Sequence, residues 1–419
     1  MGVIRRHPKC AAVFALLIVL GISAVVRQFL LSVPGREAPV TAPVVSVQSE
    51  AESTAVAQVS EMCAVWVPYM SLSMVGQADQ SQAAFCAKFT EIVQTAKAHA
   101  MNTLIVQVRP FGDAYYPSKL FPWSHLLTGT QGQDPGYDPL ACMVEIAHEN
   151  GLAIHAWVNP LRIQLNTNPA VLSENNPYVQ WSADDSKQGW TVPYENGIYM
   201  NPAYEQVRKY IADGVAEIVQ NYDVDGVQFD DYFYPTQSAD FDSAEYERYC
   251  ADAQKDGEPV DLLSWRQGNI SAMVSQVYAR VKQVKADVQF GISPQGNVQN
   301  CLNMGADVAT WCSATGYLDY ICPQLYVNFE HPVLPFDDAV SQWRALVTNA
   351  QIKLYFGLGL YKAGSDVDNG TWKAAGDILS REIIAGRAAG GDGFMFYAYD
   401  YLTALQTAEE VQNVLQVLQ

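Results

Sequence analysis

Two rhythms of apolar and polar residues alternate along the chain from Cys63 onward. Short runs rich in β-branched and aromatic residues are each followed by a longer stretch that is apolar at i, i+3 and i+4. Eight such runs can be counted: CAVWVPY (63–69), TLIVQVRP (103–110), LAIHAWVNP (152–160), VDGVQFDD (224–231), QFGISPQGN (289–297), DYICPQLYV (319–327), KLYFGLGLY (353–361) and GFMFYAYD (393–400). The stretches between them, such as AAFCAKFTEIVQTAKAHA, LACMVEIAHEN and PAYEQVRKYIADGVAEIVQ, have helical periodicity, and several end at Asn or Gly. Strands alternating with crossover helices make a parallel sheet, and eight such units predict a closed (β/α)8 TIM barrel. An open doubly wound sheet is the alternative. It lacks support, because no Gly-rich phosphate loop follows the first strand.

Strand alternation puts residues two apart on one face, and in this fold the chemistry gathers where the strands end. Gln107 and Arg109 are expected to share an inward face, as are His155, Trp157 and Asn159, then Gln228 and Asp230, then Ser293, Gln295 and Asn297, then Gln324 and Tyr326. Parallel strands covered by helices should be almost continuously apolar, so a ring of Arg, Asn, Asp and Gln at strand ends exceeds what packing requires. The longest connections, 111–138, 161–201 and 232–261, carry Tyr115, Tyr116, Trp123, Trp181, Trp190, Tyr232 and Tyr234. Aromatic faces beside hydrogen-bonding groups suit a pyranose ring, whose C–H faces stack while its hydroxyls bond.

The sharpest local feature is VDGVQFDDYFYP (224–235), an apolar strand ending in two consecutive carboxylates. Asp230 is expected to point into the mouth as the central catalytic group, and Asp231 to turn outward to cap a helix or hold a loop. Glycoside hydrolysis usually takes two carboxyl groups, and the second is open among Glu330, Asp400, Asp113 and Asp231. Glu330 is the first choice, because its loop VNFEHP follows Tyr326 directly. Arg109 would bind substrate or hold Asp230 ionised. Asn159, Asp231, Tyr232, Gln295, Asn297, Gln324, Tyr326 and Asp400 complete the expected substrate contacts. His155, deeper in its strand, reads as a core histidine.

Composition narrows the partners. With 25 Lys+Arg against 44 Asp+Glu the net charge is −19, which disfavours nucleic acid. Six His occur without HxH or HExxH spacing and no GxSxG is present, so no metal, no cofactor and no serine acyl transfer is expected. The eight cysteines show no CxxC; buried thiols with at most one bridge are expected. Arg5, Arg6 and Lys9 precede an apolar run from Cys10 to Val26. That order reads as a signal peptide or membrane anchor over residues 1–33, with the barrel outside the cytoplasm. Residues 34–60, rich in Pro, Ala, Val, Ser and Glu and free of aromatics, read as a disordered linker, leaving 61–419 for the barrel. A monomer is the default, since a closed barrel needs no partner to fold.

The chain also resembles the glycosyl hydrolase-like family 10 domain of bacterial extracytoplasmic proteins. The likeness rests on NTLIVQVRPFGDAYYPS (102–118), GLAIHAWVNPLRI (151–163), YMNPAYEQVRKY (199–210), VDGVQFDDYFYP, FGISPQGN (290–297) and DYICPQLYV, in order at successive strand ends. The resemblance implies a TIM-barrel glycoside hydrolase acting on peptide-free peptidoglycan strands or another N-acetylated polysaccharide, with Asp230 matching the catalytic carboxylate. This chain departs from the family after PQxY of strand six, where Val327 replaces an aromatic residue and Phe329 stands as its substitute. Two other functions compete: an inert glycan-binding barrel tethered to the envelope, and a transglycosylase or lyase using the same site.

Overall fold

The computed structural model describes residues 61–230, 233–255 and 257–419. The expected anchor and linker therefore lie outside the described residues, as do Asp231 and Tyr232. Among the described residues no helix is long and apolar enough to cross a membrane.

Eight parallel strand positions close into a barrel. They are β1 (Met62–Val67), β2 (Thr103–Arg109), β3 (Ala153–Val158), β7 (Gly226–Phe229), β8 (Gln289–Ile292), the pair β9 (Tyr320–Ile321) and β10 (Gln324–Leu325), β11 (Lys353–Leu358) and β12 (Gly393–Phe396). β12 pairs with β1, in register from Met62↔Gly393 to Val65↔Phe396, which removes the sheet edge. The sixth position is split in two because Pro323 has no N–H for the ladder, although its carbonyl still accepts from Gly357 N at 2.9 Å.

Alternation sorts the side chains as the sequence predicts. Val65, Val67, Leu104, Val106, Ile154 and Ala156 face outward into the annulus beneath the helices. Ala64, Trp66, Ile105, Trp157, Tyr320, Cys322, Tyr355 and Met395 fill the barrel itself. Two interior rings need space that only glycine leaves: a Cβ on Gly291 would lie 2.1 Å from the Tyr320 ring, and one on Gly226 2.5 Å from that of His155.

The covering helices run Gln82–Ala98, Pro139–Glu149, Glu205–Asn221, Leu262–Val284, Val308–Ser313, Phe336–Leu346, Ile378–Ala388 and Ala408–Leu418. A disulfide between Cys86 and Cys142 joins the first two, with their Cα atoms 6.2 Å apart. The connection after β3 holds an unexpected three-stranded antiparallel sheet of β4 (Arg162–Gln164), β5 (Thr191–Tyr194) and β6 (Gly197–Met200). The connection after β7 is fixed by Arg266, whose guanidinium meets the Asp242 carboxylate and donates to the carbonyls of Thr236 and Ser238.

Candidate active site

Asp230 follows the last residue of β7 and is only 3% exposed at the C-terminal mouth of the barrel. It lines a cavity with Trp66, Trp157, Ser293, Gln324, Tyr326 and Tyr397. Each of these sits at or just beyond the end of a barrel strand, which is why residues distant in sequence converge. Trp157 Nε1 donates to Asp230 Oδ2 at 3.1 Å, and Asn159 Nδ2 donates to the same oxygen. Two N–H donors thus converge on one oxygen of Asp230 and hold it as an acceptor.

Beneath Asp230 the floor is held by a second network. Trp66 Nε1 donates to Gln228 Oε1 at 2.6 Å, Gln228 Nε2 donates to Tyr320 Oη at 3.3 Å, and His155 Nδ1 lies 3.0 Å from the same phenol. Burial pulls the His155 pKa down to about 4, so the imidazole is neutral. His155 is thus a core histidine, as expected.

The wall is aromatic. Tyr326 and Tyr397 lie 5.7 Å apart at 31°, Tyr361 stands edge-on to both, and Trp66 is 6.1 Å from Tyr397. Burial, and after it the charge of Asp230, raises the pKa of Tyr397; burial pushes that of Tyr361 up to about 12. Both phenols therefore keep their O–H as donors at neutral pH. Among the described lining residues there is no Lys, Arg or His, and Asp230 is the one carboxyl group. A carboxylate inside an aromatic enclosure favours positive charge developing beside it, the character of a glycosidic transition state.

Several expected contacts stand elsewhere. Arg109 is turned away: the register shifts between Gln107 and Arg109, so Arg109 pairs opposite outward-facing Val158. Its guanidinium is 4.3 Å from the Phe121 ring centroid and would lie 2.5 Å from a Cβ on Gly214, under the helix Glu205–Asn221. It neither lines the cavity nor neighbours Asp230, which corrects the expectation that it shares the face of Gln107. Asn159 is 1% exposed and its amide joins Gln107 to Asp230, so it holds the carboxylate instead of facing the cavity. Asn297 caps the helix Val298–Asn303, accepting from Asn300 N. Gln295 is half-buried and bridges to Gln324 through the backbone.

Gln324 and Tyr326 do line the cavity. Gln324 Nε2 donates to Ser293 O at 3.0 Å. Of the candidates for a second carboxyl group, Asp113 is fully buried against His125 and Gln131, away from the mouth. Asp400 is exposed and accepts from Ser71 Oγ at 2.7 Å. Glu330 is exposed in the loop after β10 and does not line the cavity. Phe329 does not replace the missing aromatic, since it packs on Phe336 and Arg381.

Trp66 and Tyr397 are the lining residues that the strand pattern did not single out. Both signals were in the sequence: Trp66 alternates with Ala64, and Tyr397 lies two residues beyond inward Met395.

Known proteins resemble this chain at two levels. A family described as Glycosyl hydrolase-like 10 matches residues 61–373. The chain is 34% identical over 367 residues to the glycosyl hydrolase YngK of Bacillus subtilis (strain 168), a match covering 83% of this chain and 66% of that protein. It is 33% identical over 336 residues to the glycosyl hydrolase DigH of Escherichia coli (strain K12), covering 74% of this chain and 75% of that one. Among solved structures, the PgaB (BpsB) glycoside hydrolase domain from Bordetella bronchiseptica superposes with a TM-score of 0.57 at 15% identity, covering 86% of this chain and 99% of that domain. The catalytic domain of β-amylase from Paenibacillus polymyxa gives 0.55 at 12%, covering 85% and 98%. At such identities the structural likeness is one of fold.

Proposed function

The chain belongs to the glycosyl hydrolase-like 10 family, and from that premise we propose that it hydrolyses glycosidic bonds in a cell-wall or extracellular polysaccharide. Peptide-free peptidoglycan strands are the first substrate to try. The work would be done outside the cytoplasm by a chain that is secreted or held at the membrane by its N-terminal segment. The observation that carries the reading is Asp230: a carboxylate held by two N–H donors inside an aromatic cavity at the barrel mouth.

In this reading the sugar stacks on Tyr326, Tyr397 and Trp66, and Gln324 and the phenols bond its hydroxyls. Asp230 acts on the anomeric side, as nucleophile or as base for water, and its charge favours the oxocarbenium-like transition state. The acid for the leaving oxygen comes from outside the described lining. Glu330 and Asp400 on the connections around the mouth, and Asp231 beside Asp230, are the groups to test.

One observation favours the inert glycan-binding reading instead: among the described residues, a single carboxyl group lines the cavity. Reducing-end release from a polysaccharide panel, including peptidoglycan strands stripped of peptide, separates the two. The full chain should release ends, and folded Asp230→Asn should lose about a thousandfold or more in rate. Binding without release by the unaltered chain would replace hydrolysis by recognition.

A further inference from the structure

The hydrogen bonds leading to Asp230 run in one direction. The backbone N–H of Tyr69, in the turn after β1, donates to Gln107 Oε1 at 3.1 Å. A backbone N–H can only donate, so this contact decides which end of the Gln107 amide is oxygen. Gln107 Nε2 consequently faces Asn159 Oδ1, at 2.6 Å. With its oxygen engaged there, Asn159 turns its Nδ2 to Asp230. Gln107 and Asn159 are 2% and 1% exposed, so solvent cannot readily replace a lost partner. The other end of the relay is anchored too, because Tyr115 Oη donates to the Tyr69 carbonyl at 3.3 Å.

We propose that Gln107 is a positioning residue for the reaction at Asp230: through Asn159 it fixes the orientation in which an N–H, and not a carbonyl, meets the carboxylate. The inference rests on the reading of Asp230 as the catalytic carboxylate. A reversed Asn159 amide would set its oxygen against Asp230 Oδ2. Two acceptors at that separation repel, and the carboxylate must then either move or take up a proton. Either change withdraws the form that the chemistry needs, while leaving the cavity wall of Trp66, Tyr326 and Tyr397 as it was. Gln107 itself does not line the cavity. Its loss should therefore appear in turnover and not in substrate affinity.

The test uses the full chain and whichever glycan it cleaves, with kcat and KM measured across pH. Gln107→Met keeps the length and removes both hydrogen bonds. Its kcat should fall about tenfold to a hundredfold with KM within about twofold, the scale expected when a reacting group is misplaced. The acid limb of its kcat profile should move to higher pH. Gln107→Glu guards against a folding artefact: its protonated form reproduces the acceptor and donor pair, so its activity should approach that of the parent in acid and fall away as pH rises.

Each variant is also made in an Asn159→Ala background, where the Gln107 effect should vanish because its intermediary is gone. Gln107→Met with kcat within twofold of the parent, or a loss that persists undiminished in the Asn159→Ala background, overturns the inference. A parent chain with no turnover on any glycan, assayed beside these variants, overturns the hydrolase reading and this inference with it.

Discussion

His155 and Glu382 are both buried ionisable groups, yet they push stability in opposite directions with pH. His155 is enclosed in the barrel and its pKa falls from 6.5 to about 4, with burial the main cause. Its neutral form is the native one, so its contribution is complete above pH 6.5 and is lost as pH falls toward 4, up to about 3 kcal/mol. Urea titrations at pH 7 and pH 4.5 should show a flatter pH dependence for His155→Gln than for the parent. Glu382 has both carboxyl oxygens buried without hydrogen-bond partners, and burial, then the charge of Glu410, raises its pKa well above the usual value. Its contribution is complete below the unfolded carboxyl range and is lost as pH rises. Glu382→Met should therefore gain more stability at pH 8 than at pH 4.5 in the same titration.

At this scale the sequence was readable where the chemistry was local. Asp230 could be found because an apolar strand ending in two acids has no packing explanation. Arg109 misled, because its orientation depends on a register shift that leaves no mark in the residues themselves.

The strands and helices that carry the site were readable because burial on both faces of a parallel strand demands continuous apolar runs, and those runs are unmistakable. The sheet of β4, β5 and β6 was missed because its strands are only three or four residues long and its hairpin turns through Glu195-Asn196, a pair without the Asn-Gly or Asp-Gly signal. The loop behind Asp230 depends on one buried ion pair. Arg266 is 3% exposed and Asp242 1%, with Nε 3.1 Å from both carboxylate oxygens. Removing one partner strands the other charge in the interior. Arg266→Ala should cost about 3–5 kcal/mol in chemical denaturation, and Arg266→Met combined with Asp242→Leu should cost less than Arg266→Ala alone.

For the molecule as a whole, closure was the most secure inference, because eight strand and helix units leave one economical arrangement. What the sequence could not give was the angular position of each connection over the mouth. Glu330 and Asp400 follow their strands as expected, yet neither lines the cavity, and no spacing rule reports how a loop lies once it leaves the barrel.

The seam where β12 meets β1 runs through the cavity wall, with Trp66 on one side and Tyr397 on the other. One wall thus comes from the first strand of the barrel and the other from just beyond its last. Until the last barrel strand has been synthesised and has docked against the first, Asp230 faces an open trough. A chain lacking that last strand has the carboxylate without the enclosure around it, so the cavity itself is complete only when the ring shuts.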